Sequence, residues 1–221
     1  MKILLIAATQ AEIAPFYKNL NFLEEEVNIL GDFQLKVLIT GAGMVATTYQ
    51  LTKSLHYFRP DLLLNVGIAG SIDPLILRKS LVNVTSDHFF AFGAEHHDTF
   101  LPASQIGLQP EQFDILQSIP FPENYSKLIE KFRSIQAVKG ITVQTVHGEE
   151  QSILKMKRLN PEAQIESMEG AAVFYVGLQE QIPVVQIRSI SNPVEPRNRE
   201  GWDLEGSIAV LNDFLIHLFK S

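Results

Sequence analysis

Three polar side chains in this sequence have the chemistry needed to bind and act on a small polar ligand. Asn192 carries an amide, which offers a hydrogen-bond donor and an acceptor together. Glu169, directly after Met168, carries a carboxylate that can accept hydrogen bonds from hydroxyl groups. Glu12 supplies a second carboxylate, far away in sequence. A site that combined the three could hold a ligand rich in hydroxyl and ring-nitrogen groups.

Each of these residues also has an ordinary structural explanation. Asn192 precedes Pro193, and asparagine is common in turns. Glu169 could merely complement the dipole at a helix N-terminus while Met168 fills the core. A lone glutamate after a strand, such as Glu12, is most often solvated. The residue types alone therefore leave both interpretations open.

Two glycine-containing segments follow predicted strands and could bring backbone amides close to a ligand. They are Thr40-Gly-Ala-Gly43, before a helix predicted at about Val45 to Tyr57, and Asn65-Val-Gly-Ile-Ala-Gly70. Neither is a dinucleotide-binding fingerprint, since Ala46 stands where a third glycine is needed, and neither contains a P-loop lysine. From the glycines alone, tight turns are the favoured explanation.

Composition limits the classes of function. The chain has 221 residues, of which 46% are apolar and 19% charged, and this predicts one compact domain over residues 1–221. The net charge of −7 opposes binding to nucleic acid or to an anionic membrane and favours a small-molecule ligand. There is no cysteine for a disulfide, a zinc-thiolate site or a thiol nucleophile. The spacing of His88, Glu95, His96 and His97 matches no three-ligand metal site, so no metal is expected.

Strands alternating with helices predict a three-layer α/β/α domain with a central mixed sheet. The clearest helix follows Asp203 as N-cap, because apolar residues then recur every three or four positions. Pro102 to Tyr125 holds four prolines and is predicted to be loop with at most one short helix. The apolar runs predicted as strands are Ile3–Ala7, Leu35–Ile39, Leu62–Val66, Leu81–Val84, Ile141–Val146 and Pro183–Ile190.

The first apolar run also bears on location. It is too short to span a bilayer and lacks a signal-peptide cleavage pattern. A buried first strand in a cytoplasmic protein is therefore expected.

Over nearly its full length the chain resembles the purine nucleoside phosphorylase and nucleosidase superfamily, and within it the futalosine hydrolases of a menaquinone pathway. The polar segment Arg197-Asn-Arg-Glu-Gly-Trp-Asp203 favours that subfamily. The motifs are individually weak and collectively specific. They are Glu12 after the first strand, Gly41-Ala-Gly-Met-Val-Ala-Thr47, Asn65-Val-Gly-Ile-Ala-Gly70, Phe92-Gly-Ala-Glu95, Thr142-Val-Gln-Thr-Val146, Ser167-Met-Glu-Gly-Ala-Ala172 and Arg188-Ser-Ile-Ser-Asn192.

The resemblance implies a role for each candidate residue in breaking an N-glycosidic bond. Glu12 would be the general base that activates water, and Glu169 would bind the ribose hydroxyls with Met168 against the sugar. Asn192, the second catalytic residue, would read the departing base. One asparagine can donate to O6 of a 6-oxopurine and accept from its protonated N7, whereas the aspartate of adenine-releasing relatives would repel O6.

The remaining predicted contacts are less specific. Arg188 could contact the substrate or could neutralise a buried carboxylate, and both interpretations remain open. Phe92 could stack on the purine or enclose the 5′ extension, although aromatic clusters are more often core. Gly43 and Ile68 complete the predicted binding residues.

Hydrolysis is favoured over phosphorolysis, because Glu12 would repel phosphate and Ile68 replaces the serine hydroxyl found in many relatives. The expected activity is therefore a futalosine hydrolase that needs no cofactor. A methylthioadenosine/adenosylhomocysteine nucleosidase is the alternative enzyme, and a non-catalytic nucleoside-binding protein is the alternative outside enzymes. The resemblance also implies a homo-oligomer, at least a dimer.

Overall fold

The computed structural model describes residues 1–23 and 26–220 and consists of strands alternating with helices. The strands are β1 (Lys2–Ala7), β2 (Asn28–Leu30), β3 (Phe33–Ile39), β4 (Leu62–Ser71), β5 (Leu81–Ser86), β6 (Gly93–His96), β7 (Thr99–Pro102), β8 (Gln136–Thr142), β9 (Ile165–Ser167) and β10 (Val184–Pro193). The helices are α1 (Gln10–Leu20), α2 (Met44–Leu55), α3 (Ser126–Arg133), α4 (Glu150–Leu159), α5 (Gly170–Glu180) and α6 (Leu204–Lys220).

Eight of the strands form one mixed sheet in the order β10-β5-β8-β9-β4-β1-β3-β2. β10 pairs with β4 as well as with β5, so the first five strands of that order close into a ring. β1, β3, β4 and β10 run parallel to one another, and β9 runs antiparallel to β4. β6 and β7 form a separate hairpin. The ring places the ends of β4, β9 and β10 side by side.

The core lies on both faces of the sheet, as the alternation along β1 shows. Ile3 and Leu5 pack with α1, α3 and α6 on one face. Leu4 and Ile6 pack with α2 and α5 on the other. A strand that is apolar at every position is the expected pattern for a sheet covered on both sides. The predicted three-layer α/β fold with a central mixed sheet is therefore confirmed.

The predicted strand at Ile141–Val146 is wrong in its position. β8 begins earlier, at Gln136, and ends at Thr142. Beyond that point the amide of Val143 donates to the carbonyl of Ser167, and residues 144–146 are exposed. The alternating pattern after Thr142 is thus a loop, while the less apolar segment before Ile141 pairs with β5.

The prediction that the second glycine segment forms a tight turn is also wrong. β4 continues through Gly67 and Gly70 to Ser71, and residues 62–71 form one strand. A Cβ on Gly67 would lie 2.4 Å from Nη1 of Arg188 and 2.7 Å from Oε1 of Glu12. The glycine is therefore required by the close approach of two charged side chains. The first segment does turn, with Gly41 and Gly43 at φ +80° and +91°.

Other boundaries differ by a few residues. Residues 103–125 are largely irregular, with two short 3₁₀ turns at Glu111–Phe113 and Glu123–Tyr125 where at most one short helix was predicted. Asp203 caps α6 as predicted, because its Oδ1 accepts from the amide of Gly206 at 2.9 Å. Within residues 1–23 and 26–220, no helix is long and apolar enough to cross a membrane.

Candidate active site

Glu12 is a buried carboxylate whose position is determined by three donors. It lies in the first turn of α1, and only 7% of its surface is exposed. Oε2 accepts from the amide and hydroxyl of Thr9 at 2.9 and 3.1 Å, and Oε1 accepts from the amide of Ile68 at 3.1 Å. The interpretation of Glu12 as a solvated helix residue is therefore wrong. Ile68 contacts it through its backbone.

Arg188 lies close to both candidate carboxylates. It is fully buried on β10 opposite Gly67 of β4, and its Nη1 occupies the space that a Cβ on Gly67 would need. Glu12 reaches the same point with Oε1. Nη1 also lies 3.6 Å from Oε2 of Glu169. A buried cation near two buried carboxylates offsets their mutual repulsion. Arg188 thus pairs with a buried carboxylate, as its structural interpretation predicts. A direct contact between Arg188 and the substrate remains a prediction.

Glu169 does not cap its own helix. It is the N-cap residue of α5, yet its side chain makes no capping hydrogen bond there. Oε1 instead accepts from the amide of Gly43, 3.1 Å away at the N-terminus of α2. Two helix N-termini and Arg188 thus surround this carboxylate, which favours its negative charge. Such a charge can stabilise an electron-deficient sugar ring.

Asn192 follows an irregularity in the β4–β10 pairing. The register shifts between Ile190 and Asn192, so that Asn192 pairs with Gly70. Its Oδ1 accepts from the hydroxyl of Ser191 at 2.8 Å, and its Nδ2 donates to the carbonyl of Pro193 at 2.9 Å. A bulge re-aims the side chains that follow it. The amide is half-buried and retains one N–H and one oxygen lone pair for a ligand.

A buried pair, His147 and Glu166, lies next to Asn192. Nδ1 of His147 is 2.6 Å from Oε2 of Glu166, and its backbone amide donates to Oε1 at 3.0 Å. A Cβ on Gly70 would lie 3.5 Å from both Nδ2 of Asn192 and Cγ of Glu166. Burial raises the pKa of Glu166, and the hydrogen bond from His147 opposes that shift. Glu166, held by His147, therefore lies on the same side of Gly70 as the Asn192 amide.

Two other predicted substrate-binding residues, Met168 and Phe92, pack against apolar neighbours. Met168 is half-buried and packs against the cluster that includes Ile141, Ile153 and Met156. Phe92 is 49% exposed and contacts Phe89 edge-on at 6.4 Å between ring centroids. Phe92 lines a cavity of about 150 Å³, but the residues lining that cavity include none of the other candidates. The structure brings Glu12, Glu169, Arg188, Gly43 and Ile68 together and does not bring Phe92 to them.

Several residues that position the site were missed in the sequence. Thr9 could have been found, because Thr-x-x-Glu before a helix is a capping-box pattern. The roles of Asn65, Gln186 and Asn212 had no local signal, since each forms a hydrogen bond with a residue distant in sequence. The described residues include no group of three or more His, Cys, Asp or Glu that could hold a metal ion.

Solved nucleosidases share the fold of this chain. A structure of futalosine hydrolase from Helicobacter pylori superposes with TM-score 0.76, covering 99% of this chain and 97% of that one at 21% identity. A structure of the methylthioadenosine/adenosylhomocysteine nucleosidase from the same organism gives TM-score 0.76 at 22% identity, with coverage of 99% and 97%. These likenesses establish the fold.

Two sequence relatives carry the same pair of names. A futalosine hydrolase from Streptomyces coelicolor is 30% identical over 69% of this chain and 63% of its own length, slightly under two thirds. A methylthioadenosine/adenosylhomocysteine nucleosidase from Staphylococcus aureus is 26% identical over 74% of this chain and 71% of its own. The Phosphorylase superfamily matches residues 2–219. The predicted family resemblance is confirmed, and the chain belongs to the phosphorylase superfamily.

Proposed function

We propose that this chain is a nucleosidase that uses water to cleave the N-glycosidic bond of futalosine, releasing hypoxanthine and dehypoxanthinyl futalosine, and so acts in menaquinone biosynthesis. The observation that carries the proposal is the convergence of Glu12 and Arg188 beside Gly67, with Glu169 3.6 Å from the Arg188 guanidinium. Asn192 distinguishes this substrate from an adenine nucleoside.

The two carboxylates suit the two charges of the reaction. As the bond between C1′ and the purine nitrogen breaks, its electron pair leaves with the base and the ribose ring becomes positive. Glu169 places negative charge beside that ring and accepts hydrogen bonds from its hydroxyls. Glu12 takes a proton from the attacking water, whose oxygen forms the new bond to C1′. The donors from Thr9 and Ile68 hold Glu12 in one orientation for that step.

Water is favoured over phosphate as the nucleophile. Phosphate requires a cationic pocket rich in donors. The guanidinium of Arg188 is already engaged by Gln186, Asn65 and the Glu169 carboxylate. Glu12 adds a second negative charge next to it. An incoming phosphate would meet two carboxylates, whereas a water molecule would meet a base.

The amide of Asn192 supports a 6-oxopurine. Its remaining N–H can donate to O6, and its oxygen can accept from N7 once that atom is protonated on the departing base. With the amide held in this orientation by its bond to the carbonyl of Pro193, the 6-amino group of adenine would instead place a donor against the N–H. The alternative substrate, methylthioadenosine or adenosylhomocysteine, is supported by the relative from Staphylococcus aureus, which aligns over a larger share of this chain.

A substrate panel tests the proposal. Purified protein is incubated with futalosine, inosine and methylthioadenosine, with and without phosphate, and free base is measured. We expect hypoxanthine from futalosine at a rate that phosphate does not raise. Adenine release as the main activity would support the alternative enzyme. No base from any substrate, with binding retained, would identify a nucleoside-binding protein.

We also propose that the chain forms a homo-oligomer through α2. Val45 and Tyr49 are 75% and 62% exposed on this helix, which begins next to the Gly43 amide bound by Glu169. A second copy covering this apolar face would also cover one side of the candidate site. Sedimentation of the wild type and of Tyr49→Glu tests this. We expect a dimer or larger for the wild type and dissociation of the variant, and a monomeric wild type would contradict the proposal.

A further inference from the structure

We propose that Asp87, which lies outside the candidate active site, is the positioning residue that holds both Arg188 and the start of α5 in place. This inference deepens the proposed function and rests on one part of it, the cleavage of a nucleoside at this site. Asp87 is buried, with 1% of its surface exposed, immediately after the end of β5. Among the described residues it forms no hydrogen bond with Glu12 or Glu169, so it would act through other side chains.

One chain of hydrogen bonds leads from Asp87 to Arg188. Nε2 of Gln186 donates to Oδ2 of Asp87 at 3.1 Å, and Nε of Arg188 donates to Oε1 of Gln186 at 3.0 Å. Gln186 and Arg188 are both fully buried on β10. Because a carboxylate only accepts and a guanidinium only donates, the amide between them has one permitted orientation. Asp87 thereby fixes the guanidinium that lies close to both site carboxylates.

A second chain leads from Asp87 to the helix that follows Glu169. The hydroxyl of Thr142 donates to Oδ1 of Asp87 at 3.0 Å and accepts from the amide of Ala171 at 2.7 Å. The first amides of a helix have no partner within it, so this contact satisfies a donor in the first turn of α5. The direction of the hydroxyl is again set by the carboxylate. Asp87 therefore anchors the backbone that carries Glu169.

The packing around Gly170 indicates how closely these groups must approach α5. A Cβ at this position would lie 2.2 Å from Oε1 of Gln186 and 2.3 Å from Oδ2 of Asp87. Both distances are shorter than a side chain tolerates, so the first residue of α5 has to be glycine. The helix N-terminus also favours the negative charge beside it. Burial raises the pKa of Asp87, while its hydrogen bonds to Gln186 and Thr142 oppose that shift.

A purely structural account would treat Asp87 as one more satisfied buried polar group. Its arrangement differs because both of its side-chain partners pass the orientation on to residues of the site. A misplacement of about 1 Å in a reacting geometry can cost on the order of 10² in rate. The role of Asp87 can therefore be separated from its effect on stability. Exchanging the carboxylate and the amide between residues 87 and 186 reverses the hydrogen bond that joins them and keeps the total charge.

The test compares Asp87→Asn, Gln186→Glu and the double variant, with Ser189→Ala as control. Asp87→Asn places an amide donor against another donor, and Gln186→Glu places two carboxylates together. In the double variant the amide of residue 87 would donate to the carboxylate of residue 186, which can still accept from Arg188. Ser189 is buried beside Arg188, and its hydroxyl has no partner in the described part of the chain.

We expect kcat to fall about tenfold to a hundredfold in each single variant and to return to within about threefold of the wild type in the double variant. Ser189→Ala should match the wild type. The nucleoside used is whichever one the wild type cleaves fastest, so an error in the proposed substrate leaves the comparison intact. A double variant no better than the worse single variant, or single variants with normal kcat, would overturn the proposal.

Two further measurements keep the test independent of folding and of turnover. If Asp87→Asn does not fold, Gln186→Met removes only the chain to Arg188, and a normal kcat in that variant would overturn the proposal. Crystal structures of the single and double variants report the Arg188 guanidinium directly. Displacement in the singles and restoration in the double are expected, whether or not the wild type cleaves futalosine.

Discussion

The candidate site depends on a few charged side chains whose partners come from distant parts of the chain. Glu12 and Glu169 could be identified in the sequence because they match motifs of a family. Their contacts could not, since the donors to Glu12 include the amide of Ile68 and the donor to Glu169 is the amide of Gly43. Local sequence carries no record of such pairings. Residue identity was therefore predictable and geometry was not.

Glu12→Gln tests the role of this carboxylate as the base. Glutamine keeps the size of the side chain and cannot take a proton from water. We expect turnover to fall by about 10²–10⁴ while the dissociation constant for a nucleoside changes by less than about threefold. Single-turnover kinetics and calorimetric titration measure the two effects. Substantial remaining hydrolysis would show that the water is activated by another group.

Asn192→Asp tests how the base is read. An ionised aspartate presents only acceptors and would repel O6 of a 6-oxopurine. We expect kcat/KM for futalosine to fall at least about tenfold, which corresponds to the loss of one hydrogen bond of about 1.4 kcal/mol. The ratio of kcat/KM for futalosine to that for methylthioadenosine is the measurement. An unchanged ratio would place base recognition elsewhere.

At the scale of elements, α1 depends on a side chain from the last helix. Pro15 lies inside α1. The side-chain amide of Asn212, from α6, contacts the backbone of α1 at the next residue, Phe16. Nδ2 of Asn212 donates to the carbonyl of Glu12 at 2.8 Å, and Oδ1 accepts from the amide of Phe16 at 2.9 Å. These two backbone groups would pair with each other in a regular helix. The C-terminal helix therefore helps to place the residue proposed as base.

Asn212→Leu should destabilise the protein and disturb the site together. Leucine has a similar volume but leaves buried backbone groups of α1 without their partner, at a cost of about 1–3 kcal/mol. Urea unfolding of this variant and of Asp213→Asn, an exposed neighbour on α6, measures the loss. We expect the control to unfold like the wild type. Equal stability of both variants would show that α1 closes its own hydrogen bonds.

Element positions were predictable where the apolar pattern is local and failed where distant contacts decide. β1, β3, β5 and α2 lie close to their predicted positions. β4 runs through two glycines, because Arg188 and Glu12 occupy the space beside Gly67. β9 has only three residues and pairs with two strands distant in sequence. Neither feature has a signature within its own segment.

At the scale of the whole molecule, the closed ring of strands buries carboxylates that need hydrogen-bond donors. Asp87 directly follows the end of β5, and Glu166 lies within β9. Burial raises the pKa of both carboxyl groups. A carboxyl whose pKa is raised by folding binds more protons in the native state than in the unfolded one. Such a group stabilises the fold at low pH, and that contribution is lost as pH rises through its native pKa.

The pH dependence of unfolding tests this for Glu166. Its ordinary pKa is 4.5, so wild-type stability relative to Glu166→Gln should decrease as pH rises above about that value. Glutamine preserves the shape and can still pair with His147. Urea unfolding of both proteins from about pH 4.5 to 7 supplies the difference, in which the contributions of other carboxylates cancel. Parallel curves would mean that Glu166 titrates as it does in the unfolded chain.

The most direct test of the central claim is a competition between two substrates in one reaction. Equal concentrations of futalosine and methylthioadenosine are mixed with the wild-type protein in phosphate-free buffer, and the free bases are separated by chromatography. The arrangement of Glu12, Glu169 and Asn192 predicts hypoxanthine as the main product. Adenine as the main product would contradict the reading of the base by Asn192 and with it the proposed substrate.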